Sequence, residues 1–329
     1  MEATNIAGNT TVPLSEKFGD GDWQMEWQAA LSEQPDLNLF ALVDVAQEPS
    51  LLRRFHSNDL DSACLYGYEA DSPIAKATPR LLQIDRQCHE TLLSYLVSQS
   101  KFRPLGTMLA ATCTLSELTT HLRACMDVRL DGHDDMFLAI WDPAILGTLL
   151  GETADQTLHM QGPALTAEQA KALVGPVLHW WYWDRKGNCH NVAKAVVQSN
   201  SSPESIPLQL DSQQVDMLVE ASVPDHLLYH LNTNLPELIE KLVAEKRYGF
   251  VRQQLKRGRD HGLDGTGDLV NYIAIALAFG ARFDEKTSVA QMLQRVKDKE
   301  LSFEQAMKLL PEDEMSESAQ APELLEGSA

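Results

Sequence analysis

Two hydrophobic periods run along this chain of 329 residues, and the place where one of them stops divides it. Up to about residue 198, apolar runs of strand length alternate with stripes spaced three and four residues apart; beyond 207 only the helical spacing remains. Segments 37–45 (LNLFALVDV), 63–68, 79–84 and 105–111 read as strands. Segment 49–55 suits a short helix, and 86–99 suits a longer one with Leu92, Leu93, Leu96 and Val97 on one stripe. Ser116 and Glu117 open a helix to Met126, after which 127–130 and 136–141 form a hairpin around the turn residues 131–135. Asp142 is placed to cap a helix that starts at Pro143 and runs to Leu150, and Thr166 caps another that Gly175 and Pro176 stop. Segments 177–184 and 191–197 then flank Arg185-Lys186-Gly187-Asn188 as a second hairpin.

A Ser-, Pro- and Asn-rich stretch at 199–207 (SNSSPESIP, from Ser199) is the clearest linker. Past it, 212–231, 236–244, 248–257, 268–279, 288–297 and 302–310 all carry helical spacing, with Asp268 expected as an N-cap. The predicted fold is an α/β N-terminal lobe, a mixed sheet with flanking helices, followed by an all-α C-terminal lobe. Its expected parts are a mobile arm at 1–22, the α/β domain at 23–198, the linker at 199–207, a helical domain at 208–310 and a disordered acidic tail at 311–329.

Composition narrows the function classes. Net charge is -20, and it is uneven: residues 1–205 hold 14 basic and 26 acidic side chains, 206–310 hold 13 and 15, and 311–329 hold none and 6. An acidic protein of this kind is no general nucleic-acid binder, because phosphate contacts need clustered Lys and Arg. The opening residues show neither a basic n-region nor an apolar h-region, and the longest apolar window, 269–279, is too short for a bilayer, so a cytoplasmic protein with no membrane partner is expected. Five widely spaced cysteines without a Cys-x-x-Cys pair support neither a disulfide framework nor a zinc ribbon.

The sequence lacks Gly-x-Ser-x-Gly, Gly-x-x-x-x-Gly-Lys, His-Glu-x-x-His and Gly-x-Gly-x-x-Gly. The run 260–268 (DHGLDGTGD) fails as a calcium loop, since Gly262 takes the third ligand position and no Glu stands at the twelfth. His121 with Cys125, one turn apart, and Cys189 with His190 are two Cys/His pairs that a metal site could draw on; His133, Asp134 and Asp135 place a base beside carboxylates in a polar turn. The bland reading of each is a core or solvated residue, so no catalytic, cofactor or metal residue is expected.

Residues 179–183 (HWWYW) put Trp180 and Tyr182 on one strand face and Trp181 and Trp183 on the other. Either a central strand is covered on both sides, or one face offers aromatic anchors to a partner. Residues 246–259 gather six basic side chains, a local reversal that suits an acidic partner, the first lobe, or a solvated helix face. The candidate partner-binding residues are Trp181, Trp183, Arg252 and Lys256.

The ordered set Val43-Asp44, Pro79-Arg80-Leu81-Leu82, the Leu-spaced helix at 115–125, Ile140-Trp141-Asp142-Pro143 and Gly175-Pro176-Val177-Leu178-His179-Trp180 resembles the adaptor/chaperone family of bacterial type VI secretion. Members of that family recognise a toxic effector and load it onto the spike protein VgrG. The family pattern carries arginines where Ala139 and Ala144 stand here. The resemblance implies a non-catalytic adaptor with a secreted effector and the VgrG spike as partners, and it carries over Trp141, Asp142, Pro143, Gly175, Pro176 and Trp180 as residues that shape the lobe. The rival readings are an enzyme of unrecognised type using His133, Asp134 or the Cys/His pairs, and an immunity protein that neutralises a toxin.

Overall fold

A computed structural model describes residues 21–309, apart from 58–59, 69–71, 73, 86–87, 102 and 131–135. The expected tail, all but two residues of the expected arm, and the turn with His133 and Asp134 lie outside the described residues.

The N-terminal region is built on six strands, β1 (Asn38–Val43), β2 (Ser62–Cys64), β3 (Arg80–Ile84), β4 (Gly106–Ala111), β7 (Val177–Trp183) and β8 (Cys189–Asn191), in the order β2-β3-β1-β4-β7-β8. Every neighbouring pair in this sheet is antiparallel. A second sheet of three strands is mixed: β5 (Asp127–Leu130) pairs antiparallel with β6 (Met136–Phe137) and parallel with β9 (Gln209–Leu210).

Side chains of the large sheet alternate between two cores. Phe40, Leu42, Leu81, Leu109, Trp180 and Tyr182 point to one side, where α4 (Leu115–Met126), α5 (Pro143–Leu150), α6 (Ala167–Val174) and the first half of α8 (Ser212–Asn234) close over them. Leu39, Ala41, Val43, Leu82, Met108, Trp181 and Trp183 point to the other, beneath α1 (Gly21–Glu33), α2 (Leu51–Ser57) and α3 (Glu90–Ser100). Gly106 allows the close approach of β4 to β1, since a Cβ there would collide with the Leu42 carbonyl oxygen.

The helix starts follow their caps. The Thr114, Thr166, Asp211 and Ser302 side chains each accept from the backbone N–H three residues on, while Glu117, Gln169, Gln214 and Gln305 reach back. The opening helix boundary therefore falls at Thr114, before the Ser116 expected from sequence. Beyond β8 the chain does not continue as a strand. Val192 N–H donates the last ladder bond to the Trp180 carbonyl, and residues Ala193–Val197 wind into α7, whose end is held by Lys171 Nζ donating to the Val196 and Val197 carbonyls at 3.1 and 2.9 Å. Its β-branched residues gave a strand pattern that these bonds override.

The C-terminal region is helical: α8, α9 (Pro236–Ile239), α10 (Ala244–Asp260), α11 (Thr266–Phe279), α12 (Thr287–Lys297) and α13 (Phe303–Lys308) enclose a third core around Phe250, Tyr272, Ile273, Phe283 and Phe303. Gly265, not Asp268, stands at the start of α11; Asp268 lies inside the first turn, where a carboxylate still favours the helix dipole. Residues 199–207 form no helix or strand, yet Leu208, Leu210, Leu218 and Ala221 beyond them pack in the first core. Helix α8 thus serves two cores, Leu218 and Ala221 in the first and Leu227 and Leu231 in the third, with buried Pro224 at the crossover.

Asp284 gathers the helical region. Its carboxylate, almost fully buried, accepts from Arg257 Nε at 3.1 Å, His261 Nε2 at 2.9 Å and Tyr272 Oη at 2.5 Å. Burial opposes its charge, but these three donors hold its carboxyl far below the usual carboxylate range. Asp284→Ala strands His261 and Tyr272 and leaves Arg257 with Glu285 alone, and about 3 kcal/mol of stability is expected to be lost in chemical denaturation, with Asp284→Asn losing less.

Candidate protein-docking surface

The turn after β2 is braced from the neighbouring helix. Arg123 on α4 donates through Nε to the Leu65 carbonyl at 3.1 Å and through Nη2 to the Cys64 carbonyl at 2.5 Å, and Gly67 closes the turn at φ 75°. This fixes Tyr66 beside two other aromatics. Its ring lies 5.1 Å from Phe137 on β6 and 5.9 Å, edge-on, from Trp141 in the turn that leads to α5. Phe137 is 60% exposed and Tyr68, two residues along, is 46% exposed. Asp44 at the end of β1 lies close to these rings, near enough for its charge to act on the Tyr66 hydroxyl. Burial pushes the Asp44 carboxyl up, and burial together with the Asp44 charge pushes the Tyr66 hydroxyl up. The result is an aromatic cluster in which Tyr66 and Trp141 are half-buried against the first core and Phe137 faces solvent, with one carboxylate beside it.

Trp141 was singled out in the sequence, whereas Tyr66 and Phe137 were not. Nothing in the local pattern sets them apart, because the strand pairing of β5 with β6 and the Arg123 brace are what bring them together.

The remaining family-pattern residues shape the same lobe. Asp142 Oδ1 accepts from the Ala144 and Ile145 N–H groups at 2.8 and 3.2 Å, and Pro143 takes the first position of α5. Burial and the Asp225 charge push the Asp142 carboxyl up to about 6, against the pull of Arg185. Gly175 ends α6 at φ 49°, where a Cβ would run into the His121 ring, and Pro176 leads into β7. Trp180 is fully buried and donates to Thr107 Oγ1 at 2.9 Å. Ala139 packs partly buried against the first core, and Ala144 supplies a capping N–H.

Of the alternatives open for the candidate partner anchors, the structure shows the enclosed one for Trp181, Trp183 and Arg252. Trp181 and Trp183 are 0% and 2% exposed, because α1 covers their face of β7; in this structure the strand is enclosed on both sides and presents neither to solvent. Arg252 is turned inward as well: its Nη1 donates to the Gln156 and Thr157 carbonyls at 3.1 and 3.0 Å, tying α10 to the N-terminal lobe. Lys256 is exposed. The basic run is largely spent within the chain, with Arg247 on the Leu242 carbonyl, Arg257 on Asp284, and Arg259 on Glu220.

The two Cys/His pairs stay apart. Cys125 packs in the core on one side of the large sheet and Cys189 packs on the other. Burial pushes the Cys125 thiol up to about 12 and pushes His121 down, and the His121 ring sits on the Leu173 carbonyl at 2.9 Å, so this pair is a neutral packing contact. Among the described residues, the group with metal-ligand spacing is Asp155, Asp184 and His190. Its acceptors are already engaged: Asp155 takes the Tyr182 hydroxyl at 2.9 Å and the Thr157 N–H and hydroxyl, and Asp184 takes His190 Nε2 at 3.1 Å, the Asn188 side chain, and the Lys186 and Asn188 N–H groups. Such a set is a satisfied buried network. It sets the hairpin from which Arg185 reaches Asp225 of α8 with both contacts at 2.6 Å, while the Arg185 guanidinium lies 4.3 Å above the Tyr248 ring.

This network makes stability depend on pH. Burial raises Asp184, but its hydrogen bonds outweigh that and bring it down to about 2; burial lowers His190, but the Asp184 bond and the charges of Asp155, Asp184 and Glu152 outweigh that and raise it above 6.5. The pair's contribution is therefore complete from about pH 4 to 6.5, is lost upward as pH passes the raised His190 value, and is lost downward toward 2. His190→Gln is expected to flatten the upper limb in denaturation midpoints measured from pH 5 to 9. Charge reversal separates two basic residues: Arg252→Glu strands the 156–157 carbonyls and costs about 1–3 kcal/mol, whereas Lys256→Glu stays within about 0.5 kcal/mol, both read by chemical denaturation.

No curated protein and no solved structure matches the chain. The segment from β1 to the loop after α5, residues 39–160, which carries Asp44, Tyr66, Phe137, Trp141 and Asp142, matches the family model described as Domain of unknown function (DUF4123), a domain associated with type VI secretion effector adaptors.

Proposed function

We propose that the chain is a non-catalytic, cytoplasmic adaptor of bacterial type VI secretion that binds a cognate toxic effector and helps load it onto the VgrG spike. The observation that carries this reading is the Tyr66–Phe137–Trp141 cluster, two half-buried rings that support an exposed third, lying inside the segment that matches the adaptor-associated family model. Three features support it. The platform's rings are held in place by Arg123 and the β5–β6 pairing, so little ordering entropy is lost on contact. His121 sits on the Leu173 carbonyl, and where Asp155, Asp184 and His190 converge their polar atoms are taken up by hydrogen bonds within the chain. Among the described residues, no helix is long and apolar enough to cross a membrane.

The direct test is co-expression of the chain with a VgrG spike and a toxic effector from the same cell. Co-purification of a complex, and loss of toxin export with the spike still exported when the chain is deleted, are the expected results; intact export without it would end the adaptor reading. Phe137→Asp is expected to weaken capture of the partner by about 2 kcal/mol, roughly thirtyfold in Kd, as an aromatic anchor does. Its melting temperature should stay at the wild-type value, since the side chain is largely solvent-facing.

A further inference from the structure

Helix α1 sits on β7 in the way a bound peptide would. Trp23 meets Trp181 edge-on at 6.2 Å and Trp183 at 5.9 Å, Trp27 meets Trp181 edge-on at 6.3 Å, and buried Ala30 completes the stripe. Glu26, on the same face, accepts from Trp181 Nε1 at 2.6 Å and from Asn191 Nδ2 at 3.2 Å. The spacing of positions 23, 26, 27 and 30 makes one continuous contact face. Leu178 and Cys189 border it, partly buried.

Against this apolar fit stands a polar misfit. The indole N–H groups of Trp23, Trp27 and Trp183 are buried and find no hydrogen-bond partner among the described residues. Each has given up hydration without return, so α1 is held less firmly than its aromatic area alone implies. Helix α1 is also the first described element, joins β1 through residues 34–37, and contributes no strand to either sheet. It can leave without breaking a ladder hydrogen bond.

We propose, resting on the adaptor reading, that α1 is the resident occupant of a helix-binding groove floored by Trp181, Trp183 and Asn191, and that it is exchanged for an amphipathic helix of the effector. The occupant's chemistry is read from α1 itself: two large aromatics one turn apart, a carboxylate just before the second, and a small residue three positions after it. An incoming helix that also offers an acceptor to Trp183 Nε1 has the advantage over α1. Trp181 and Trp183 then act as anchors only in the exchanged state, which is why they are enclosed in the free chain.

The test uses the full chain and a synthetic peptide of residues 21–33. Trp23→Ala/Trp27→Ala unseats α1 and is expected to bind the peptide at least about tenfold tighter than wild type, whose groove is filled by a tethered competitor. Adding Trp181→Ala should abolish that binding. A folded double variant that ignores the peptide overturns the proposal. If the double variant does not fold, hydrogen exchange on wild type decides: α1 amides exchanging at least about a hundredfold faster than those of β7 support the exchangeable helix, and equal protection overturns it. A wild-type dimer that the double variant dissolves also overturns it, by giving the groove to the α1 of a second copy. With effector present, faster α1 exchange supports displacement. Effector binding with α1 protection unchanged removes this inference and leaves the adaptor reading standing.

Discussion

Strand β7 is the constraint from which the rest of the N-terminal region follows. Four large aromatics in succession, Trp180 to Trp183, cannot leave either face of a strand to water, because each would expose on the order of 150–250 Å². A cover is therefore required on both sides, and the chain supplies two of different character. Helices α4, α5, α6 and the start of α8 meet Trp180 and Tyr182, whose polar ends find Thr107 and Asp155. The α1, α2 and α3 side meets Trp181 and Trp183, where Trp181 finds an acceptor in Glu26 and Trp183 finds none among the described residues. One face is fully satisfied and the other is not, an asymmetry that divides architecture from adaptability.

The satisfied face continues into the joint between the two regions. Asp155, held by Tyr182, fixes Thr157; the Thr157 hydroxyl accepts the Arg185 N–H and the Thr157 carbonyl accepts Arg252 from α10. Arg185 in turn grips Asp225 on α8, and Glu220, one turn earlier, takes Arg259 and His159 at 2.8 and 2.6 Å. The ion pairs bracket Pro224, where α8 passes from the first core to the third. A helix whose proline leaves the Glu220 carbonyl without its usual partner would be the weak point of a two-core molecule, and charges fastened on either side of it hold the two halves in one geometry.

Much of this architecture was legible in the amino-acid order because the signals were local. The Asp142-Pro143 helix start, the Thr166 cap with its Gly175 stop and the 3.6-period helices beyond 212 each depend on residues within one turn. The failures share the opposite cause. Segment 191–197 carries Val192, Val196 and Val197, yet its part from Ala193 is helical: Ala193, Lys194 and Ala195 favour helix, and Lys171, far away in sequence, holds the carbonyls at its end. Helix α1 escaped notice although Trp23, Trp27 and Ala30 carried the spacing, since the polar residues around them dilute the stripe. The aromatic platform was illegible for a stronger reason: Tyr66, Phe137 and Trp141 are separated by up to 75 residues and become one surface only through Arg123 and a two-residue strand.

Charge settles what kind of chemistry such a surface can use. A chain with net charge -20 has few cations to spare, and the run at 246–259 commits Arg247, Arg252, Arg257 and Arg259 to contacts inside the molecule. The basic segment that reads in sequence as an acidic partner's landing site is therefore mostly internal fastening, with Lys246 and Lys256 left exposed. Long-range attraction between this protein and a partner must then come from cations on the partner, whose steering falls off within a screening length. Short-range affinity has to come from apolar area, of which Phe137 and Tyr68, beside the half-buried rings at 66 and 141, are one exposed source.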